Sequence, residues 1–397
     1  MVGVNDGITS KDSLVIAGGD INVTAVDDGV RGKDHLVICD GSLTVDAGGD
    51  ALKSDNEGKD DDPDAVVGVI WIEGGTIDLT AGSDAADAAD AARQVTINGG
   101  DLNIAAGDDG LHSDGVMRID GGTIDIAQGV EGIEGVYMYL SGGDVLVVSS
   151  DDGINVSGGE VDTVATTDSM DTADDSAAPQ GGDRGGDGPS AGGGQGAAGG
   201  HQFAEASVAT DLSSVTISAL EDGGFGGPAE GDNGDRYLEV SGGTFALDTE
   251  SDGVDVNGSM TMTGGTIVVT ATSDTSQGAI DVDDTFLLSG GTLAANGAAA
   301  MTVGPESSGD QGSLGIIFSE ALPADTVITI SDSSGSTVAS FTTSKVSQSL
   351  VFSSEYVLVG DDYAVTIGGD ASGTTIGALI VDATATGGDQ IGTITAI

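Results

Sequence analysis

The chain has 397 residues, with 66 acidic side chains against 10 lysines and arginines, and its formal net charge is −56. Phosphate binding needs positive charge, so this composition excludes nucleic acid as a partner. Aromatic residues make up 3% of the chain and glycine occurs 69 times. These proportions favour thin, repetitive β-structure packed with Ile, Val, Leu and Ala over a thick globular core.

Glycine pairs, once replaced by Asp-Gly, recur at intervals close to 22 residues. They begin at positions 18, 40, 74, 99, 121, 142 and 158, and again at 242, 264 and 290. The longer intervals contain insertions, visible as NEGKDDDPDAVVG and AADAAD. Apolar and polar residues alternate around each pair, as in VMRIDGGTIDIA, which is typical of strands. We therefore predict an all-β fold: a right-handed parallel β-helix, a solenoid with one repeat per coil and coils ~4.8 Å apart.

The pattern divides the chain into four parts. Coils are expected over residues 1–167 and again over residues 203–300. Between them, residues 168–202 are rich in Gly, Ala, Ser and Asp, which predicts a flexible insertion. From Ser313 the period changes, and SLGIIFSEALPADTVITISDSSGSTVASF is typical of antiparallel strands. Because a solenoid end exposes unpaired strand edges, we predict a small antiparallel β cap over residues 301–397.

An acidic residue recurs about 12 positions before each glycine pair. Equivalent positions stack in a parallel β-helix, so these acids should form a column. Two unit charges ~4.8 Å apart repel by about 1 kcal/mol in water and by more where they are shielded, so such a column calls for counterions. The predicted column consists of Asp6, Asp28, Asp50, Asp84 or Asp87, Asp109, Glu131 and Asp152.

Further acids follow a few residues later and place more oxygens beside the column. Oxygen ligands are those that Ca²⁺ prefers, whereas 1 cysteine and 3 histidines disfavour zinc. We predict calcium as the cofactor, although Asp-Asp-Gly is also an ordinary turn sequence and that alternative stays open. The predicted ligands are Asp28, Asp50, Asp55, Asp108, Asp109, Asp114, Glu131, Glu134, Asp151 and Asp152. A second, weaker group comprises Asp252, Asp255, Asp281 and Asp283.

Taken together, GDDGLHSDGVMRIDGGTIDIA, VEGIEG, DDGIN and LEVSGGTFALDTESDGVDVNGSMTMTGGTIVV resemble the calcium-binding β-helical carbohydrate-binding domains with a polysaccharide-lyase-like fold. The resemblance covers nearly the whole chain, including the Gly-rich interruption and TISDSSGSTVASFTTSKVSQSLVFSS. It implies a secreted, non-catalytic protein that binds cellulose or acidic-sugar polymers at a bacterial cell surface. The scarce lysines and the acidity depart from the pattern, so binding of anionic polymers would need bridging calcium.

The strand that precedes the glycine pair in each coil predicts a surface that binds sugar. Ile16, Ile38, Ile72, Ile97, Ile119 and Leu140 share a register position and should point inward. The residues before them should point outward: Val15, Val37, Trp71, Thr96, Arg118 and Tyr139. Aromatic faces stack on sugar rings and arginine pairs with uronate carboxylates. We therefore predict polysaccharide binding by Trp71, Arg118, Tyr137 and Tyr139, with scattered surface aromatics as the alternative.

Two other functions remain open: a structural surface adhesin and a uronate lyase. A lyase would use Ca²⁺ and a basic residue, for which Lys53 in GGDALKSDN is best placed. Neighbouring carboxylates should raise the pKa of Lys53 and weaken it as a base, so we expect no enzymatic activity. The sequence has no membrane-spanning apolar stretch, and MVGVNDGITS lacks the features of a secretory signal. We expect an extracellular or cell-surface monomer whose export segment is absent from this sequence.

Overall fold

A computed structural model describes residues 2–3, 5–58, 66–82, 85–158, 207–220, 236–272, 277–300 and 303–397. Within these ranges the chain forms a parallel β-solenoid followed by an antiparallel sheet, which confirms the predicted fold class. The expected flexible insertion, residues 168–202, lies outside them. None of the helices in the described ranges has the length and apolar character needed to span a membrane.

Each coil contributes up to three strands, which stack on the equivalent strands of the next coil in three rows. The first row contains β1 (Ile8–Ser10), β4 (Val30–Gly32), β7 (Leu52–Ser54), β10 (Ala89–Ala91), the beginnings of β13 (Leu111–Ile119) and β15 (Ile133–Leu140), β17 (Ile154–Val156), β21 (Val254–Val256) and β24 (Ile280–Val282).

The second row contains β2 (Ser13–Ile16), β5 (His35–Ile38), β8 (Val69–Ile72), β11 (Gln94–Ile97), the ends of β13 and β15, β19 (Tyr237–Val240), β22 (Ser259–Met262), β25 (Phe286–Leu288) and β27 (Glu306–Ser307). The third row contains β3 (Asp20–Thr24), β6 (Ser42–Asp46), β9 (Thr76–Thr80), β12 (Asp101–Ala105), β14 (Thr123–Gln128), β16 (Asp144–Ser149), β20 (Thr244–Thr249), β23 (Thr266–Thr270) and β26 (Thr292–Gly297).

The stacked strands are parallel and keep one register from coil to coil. Ile16 pairs with Ile38 and Ile38 with Ile72, so the apolar residues of the second row form one inward column. Ile38, Ile72 and Ile97 are at most 1% exposed, as the alternation predicted. Burying an aliphatic side chain of this size stabilises the fold by about 1.5–3 kcal/mol, and the column repeats that contribution in every coil.

The glycine pairs form the turn between the second and third rows. The second glycine of a pair has a positive φ, as at Gly19 (114°) and Gly75 (105°). A Cβ on Gly75 would also lie 2.9 Å from the carbonyl oxygen of Gly41 in the preceding coil. The pair therefore recurs because this turn needs both an unusual backbone conformation and close approach between coils.

A C-terminal antiparallel module closes the solenoid, because β31 pairs with β26, the last third-row strand. Residues 207–220 also belong to this module, since β18 pairs with β28, and the coils resume at Tyr237. The module contains a 3-10 helix (Leu212–Ser214), β18 (Ile217–Ala219), β28 (Gln311–Leu322), β29 (Val327–Ser331), β30 (Thr337–Thr342), β31 (Ser347–Leu358), β32 (Asp362–Ile367), β33 (Asp370–Ile376), β34 (Leu379–Thr386) and β35 (Asp389–Thr395).

Candidate functional site

One acidic residue per coil precedes the first row, in the position that the sequence predicts for a column. Backbone pairing makes these residues equivalent: the N–H groups of Gly29, Ala51 and Ala88 donate to the carbonyls of Asp50, Asp87 and Asp109. In the coil where two candidates existed, Asp87 takes the position, and Asp84 lies outside the described residues. We call this set the acid column: Asp6, Asp28, Asp50, Asp87, Asp109, Glu131, Asp152 and Asp252.

The carboxylates of the acid column accept hydrogen bonds from the backbone of the next coil. Asp87 N–H donates to Asp50 Oδ1 at 2.9 Å, and Asp109 N–H donates to Asp87 Oδ1 at 2.9 Å. Glu131 N–H donates to Asp109 Oδ1 at 3.2 Å. The regular spacing of these acids is thus partly structural, because the carboxylates of Asp50, Asp87 and Asp109 each accept a backbone N–H from the next coil.

A second set of side chains lies beside the acid column, on the middle residue of each first-row strand. Strand register aligns these residues from coil to coil. Both signs of charge occur in the early coils, whereas the later ones hold acidic and amide groups. We call this set the polar column: Thr9, Arg31, Lys53, Asp90, His112, Glu134, Asn155, Asp255 and Asp281.

In the early coils the cations of the polar column pair with the predicted ligands. Lys53 contacts Asp50 and lies 3.0 Å from Asp90, while Arg31 Nε donates to Asp55 Oδ1 at 3.0 Å. Burial would lower the pKa of Lys53, but its hydrogen bond to Asp50 and the charge of Asp90 raise it above its usual range. Asp50 and Asp55 therefore already have cationic partners within the chain.

His112 lies between carboxylates on both sides of its ring. Its Nδ1 is 3.4 Å from Asp87 Oδ2 and 3.4 Å from Asp90 Oδ1, and its Nε2 is 3.5 Å from Glu134 Oε2 and 3.8 Å from Asp114 Oδ1. Burial lowers the pKa of His112, but hydrogen bonds to Asp87 and Asp90 outweigh this and raise it to about 11. In the absence of a metal, His112 is therefore an imidazolium that neutralises part of the cluster.

Among the described residues of the later coils, the two columns continue with carboxylate and amide side chains. From Glu134 onward the polar column continues as Asn155, Asp255 and Asp281, beside Asp152 and Asp252 of the acid column. Burial raises the pKa of Asp255 to about 8, and the charges of Asp152, Asp281 and Asp252 add to this effect. Burial likewise raises the pKa of Asp252 to about 7 and that of Asp281 to about 6. These residues concentrate negative charge that a cation would relieve. We call the following set the oxygen-only stretch: Glu131, Glu134, Asp152, Asn155, Asp252, Asp255 and Asp281.

Two buried oxygens in the same stretch fit a hard cation. Asn155 donates a hydrogen bond to Glu131. Asn155 Oδ1 and Glu131 Oε2, however, have no hydrogen-bond partner among the residues that the structure describes. Asn155 is 7% exposed, so solvent does not readily satisfy its oxygen. Buried oxygens without donors, next to carboxylates, form the kind of donor set that Ca²⁺ accepts.

The predicted calcium ligands therefore lie in three different local environments, and their role as ligands stays a prediction. Asp28, Asp50 and Asp55 lie near Arg31 and Lys53. Asp108, Asp109 and Asp114 lie around His112. Glu131, Glu134 and Asp152 begin the oxygen-only stretch, with Asp151 exposed beside it. Among the described residues, two groups offer ligand atoms within 4.8 Å of one another: Asp87, Asp90 and His112, and Asp109, His112 and Glu134.

A different face, formed by the second row, carries the aromatic residues. Trp71 is 41% exposed while the next residue, Ile72, is fully buried, as the alternation predicts. Thr96 and Arg118 follow Trp71 in register on the next two coils. Thr96 departs from the expected exposure and is 3% exposed, because it lies between these two larger side chains and binds Gln94.

Arg118 and the tyrosines form one contiguous group on this face. The Arg118 guanidinium lies 4.7 Å from the centre of the Tyr139 ring, and Tyr139 is 6.5 Å from Tyr237 between ring centres. Tyr137 pairs in register with Tyr237 on the following coil. Tyr237 could not be assigned to this face from the sequence, because the intervening insertion hides its register with Tyr137. We call Trp71, Arg118, Tyr137, Tyr139 and Tyr237 the aromatic face.

Comparison with known proteins agrees with the fold and with one class of function. A family model described as "Carbohydrate-binding domain-containing protein" matches residues 2–176, a stretch that includes most of the acid column and all of the aromatic face except Tyr237. The match covers less than half of the 397 residues. No curated protein and no solved structure matches the chain significantly. The N-terminal coils are thus similar to a family named for carbohydrate binding rather than for catalysis.

Proposed function

We propose that the protein is a non-catalytic carbohydrate-binding protein that acts outside the cell and binds cellulose-like or acidic polysaccharide on its aromatic face. The observation that carries this proposal is the exposed Trp71, aligned along the solenoid with Arg118 and Tyr139. A polysaccharide is long and repetitive, and a row with one side chain per coil matches such a ligand. The similarity of residues 2–176 to carbohydrate-binding domains supports the same class of function.

The residues of the aromatic face have separate roles in this proposal. Trp71 and Tyr139 are three coils apart, ~14 Å at ~4.8 Å per coil, a distance that a short oligosaccharide spans. Both rings would stack on the apolar faces of sugar rings. Arg118 is held over Tyr139 by a cation–π contact, and the edge of its planar guanidinium would pair with a uronate carboxylate. Neutral glycans would use the aromatic rings alone.

Calcium has a supporting role in the same proposal. The oxygen-only stretch would hold it through Glu131, Asp152, Asn155, Asp252 and Asp255, where buried oxygens lack donors and carboxylates repel one another. Bound calcium would neutralise that repulsion and stiffen the coils that carry Tyr139 and Tyr237. Sugar binding and calcium binding thus occupy different rows of the solenoid.

A uronate lyase is less well supported by the contacts of Lys53. A catalytic base must be able to lose its proton near neutral pH. Lys53 is instead held as a cation by Asp50 and Asp90, which together raise its pKa. An adhesin without sugar specificity would not need the alignment of Trp71 with Arg118 and Tyr139.

The test compares two exposed aromatics in one binding assay. Trp71→Ala should weaken binding to insoluble cellulose by about tenfold or less, because an exposed stacking contact contributes on the order of 1 kcal/mol. Tyr356→Ala is the matched control, since Tyr356 is 65% exposed but lies in the C-terminal module. Arg118→Ala should weaken binding to polygalacturonate while leaving cellulose binding nearly unchanged.

Thermal unfolding of the same variants separates binding from folding. Trp71→Ala should unfold within a few degrees of the unmodified protein. Equal binding by the Trp71→Ala and Tyr356→Ala variants would contradict the assignment of the aromatic face. Unfolding of the Trp71→Ala variant under native conditions would mean that Trp71 is a core residue.

A further inference from the structure

The His112 ring offers a nitrogen ligand inside a group of carboxylates. Asp109 and Glu134 each present an oxygen that lies, with a ring nitrogen of His112, within 4.8 Å of the others, and Glu134 Oε2 is 3.5 Å from Nε2. On its Nδ1 side, Asp87 Oδ2 and Asp90 Oδ1 are each 3.4 Å away. Scarce histidines disfavour zinc in the sequence, but the fold places this one among five acidic side chains, because Asp114 also lies 3.8 Å from Nε2.

Unsatisfied buried oxygens lie next to this group. Asp109 is 7% exposed and accepts the backbone N–H of Glu131. The Oε2 atom of Glu131 is buried and has no hydrogen-bond partner within the described part of the chain. Asn155, which follows Glu134 in the polar column and is 7% exposed, has an unpartnered Oδ1 as well. The coils next to His112 therefore contain buried acceptor oxygens that no described donor satisfies.

We propose that Asp109, His112 and Glu134 bind a first-row divalent transition-metal ion such as Zn²⁺, Mn²⁺ or Co²⁺, with Glu131 as a nearby oxygen donor. An imidazole nitrogen with two or three carboxylate oxygens is a donor set typical of these ions, whereas Ca²⁺ prefers oxygen alone. The ion binds through Nε2, while Nδ1–H donates to Asp87 or Asp90. A carboxylate behind a metal-bound histidine is the usual way to fix the ring and its tautomer.

This site contains a nitrogen ligand, which the calcium site of the proposed function lacks, and the two sites adjoin at Glu131. His112 is the only residue of the polar column between Asp90 and Asp281 with a nitrogen that can ligate a metal, since the column continues past it as Glu134, Asn155, Asp255 and Asp281. It also lies in the first row, whereas the aromatic face lies in the second row. Loss of polysaccharide binding would therefore leave the inference intact, and failure of the metal site would leave the aromatic face intact.

The test titrates the metal-stripped full chain with Co²⁺ in a buffer that contains excess Ca²⁺ to fill oxygen-only sites. We expect a saturable visible absorption with one Co²⁺ per chain, which Zn²⁺ removes by competition. His112→Asn should weaken Co²⁺ binding at least tenfold. His35→Asn is the matched control, because His35 lies on another coil and contacts Ser13 Oγ and the Val66 carbonyl instead of acids.

The outcomes are decisive in either direction. Binding of Co²⁺ that His112→Asn weakens and His35→Asn leaves unchanged supports the site. Absence of saturable binding, or equal binding by both variants, overturns it and leaves His112 as an internal counterion. If His112→Asn does not fold, paramagnetic broadening by Co²⁺ of the imidazole proton resonances of the unmodified protein gives the same decision. Broadening of the His112 ring supports the site, and a His112 ring that stays sharp overturns it.

Discussion

Lys53 of the polar column forms ion pairs with Asp50 of the acid column and with Asp90 of the neighbouring coil. Asp50 is 6% exposed, so removal of its cation would leave a buried carboxylate with less compensation. Lys53→Ala should therefore lower the free energy of unfolding by about 1–3 kcal/mol, measured by denaturant unfolding. Lys11→Ala, on an exposed turn, is the control and should change little.

The same variant distinguishes a structural lysine from a catalytic one. Incubation of the unmodified protein with polygalacturonate and Ca²⁺ should produce no 4,5-unsaturated ends, measured by ultraviolet absorbance. Steady growth of that absorbance, abolished by Lys53→Ala, would show that Lys53 acts as a base and that the lyase alternative is right.

Individual residues show where sequence reasoning was sufficient. The outward position of Trp71 could be predicted, because Ile72 fixes the alternation of that strand. The surroundings of His112 could not, since Asp87 and Asp90 lie in AADAAD, which looks like an insertion rather than a repeat. The positions of Asp87 and Asp90 follow from the pairing of β10 with β7 and β13. That pairing depends on the point at which the inserted residues loop out of the regular coil.

At the scale of the element, two alanine substitutions in the glycine turn separate the cost of backbone strain from the cost of a steric clash between coils. Gly75 and Gly19 both have a positive φ, but a Cβ on Gly19 would meet nothing within 4 Å, while one on Gly75 would meet Gly41 O at 2.9 Å. Gly19→Ala should cost about 1–2 kcal/mol from the backbone alone. Gly75→Ala should cost more, measured as a larger fall in unfolding midpoint. Equal losses would mean that contact between coils is unimportant at this turn.

The oxygen-only stretch predicts an unusual dependence of stability on pH. Burial first, and then neighbouring carboxylates, raise the pKa of Asp252 to about 7 and of Asp255 to about 8, above the ordinary value of 3.8. The folded state therefore binds protons more tightly than the unfolded state. The stabilisation that Asp252 and Asp255 contribute is fully present below pH 3.8, the ordinary pKa of the carboxyl group. It is lost as the pH rises through their folded-state pKa values of about 7 and about 8.

Metal-free protein should consequently melt several degrees lower at pH 8.5 than at pH 5.5, at fixed ionic strength. Added Ca²⁺ should reduce this difference, because binding to the folded state alone stabilises it and replaces protons as the counterion. Asp255→Asn should reduce the difference as well, and Asp101→Asn, on an exposed third-row position, should not. A metal-free melting temperature that is equal or higher at pH 8.5 would contradict the predicted charge repulsion.

The whole molecule separates three tasks among its rows. The inward-facing residues of all three rows form the core, the first row and the acids before it carry the charged columns, and the second row carries the aromatic face. The 22-residue period and the closing antiparallel sheet could be predicted because apolar alternation repeats in register. The order of cations along the polar column, from Arg31 to His112, could not, because one sequence does not show which polar residues of a coil stack.

The most direct test of polysaccharide binding uses the single tryptophan of the chain. Because Trp71 is the 1 tryptophan among 397 residues and is exposed on the aromatic face, its fluorescence reports on that face alone. Titration with cello-oligosaccharides, and with oligogalacturonides in the presence of Ca²⁺, should produce a saturable change in emission for at least one series. An emission spectrum that stays constant while the protein binds insoluble polysaccharide would contradict the account, because it would place sugar binding elsewhere on the molecule.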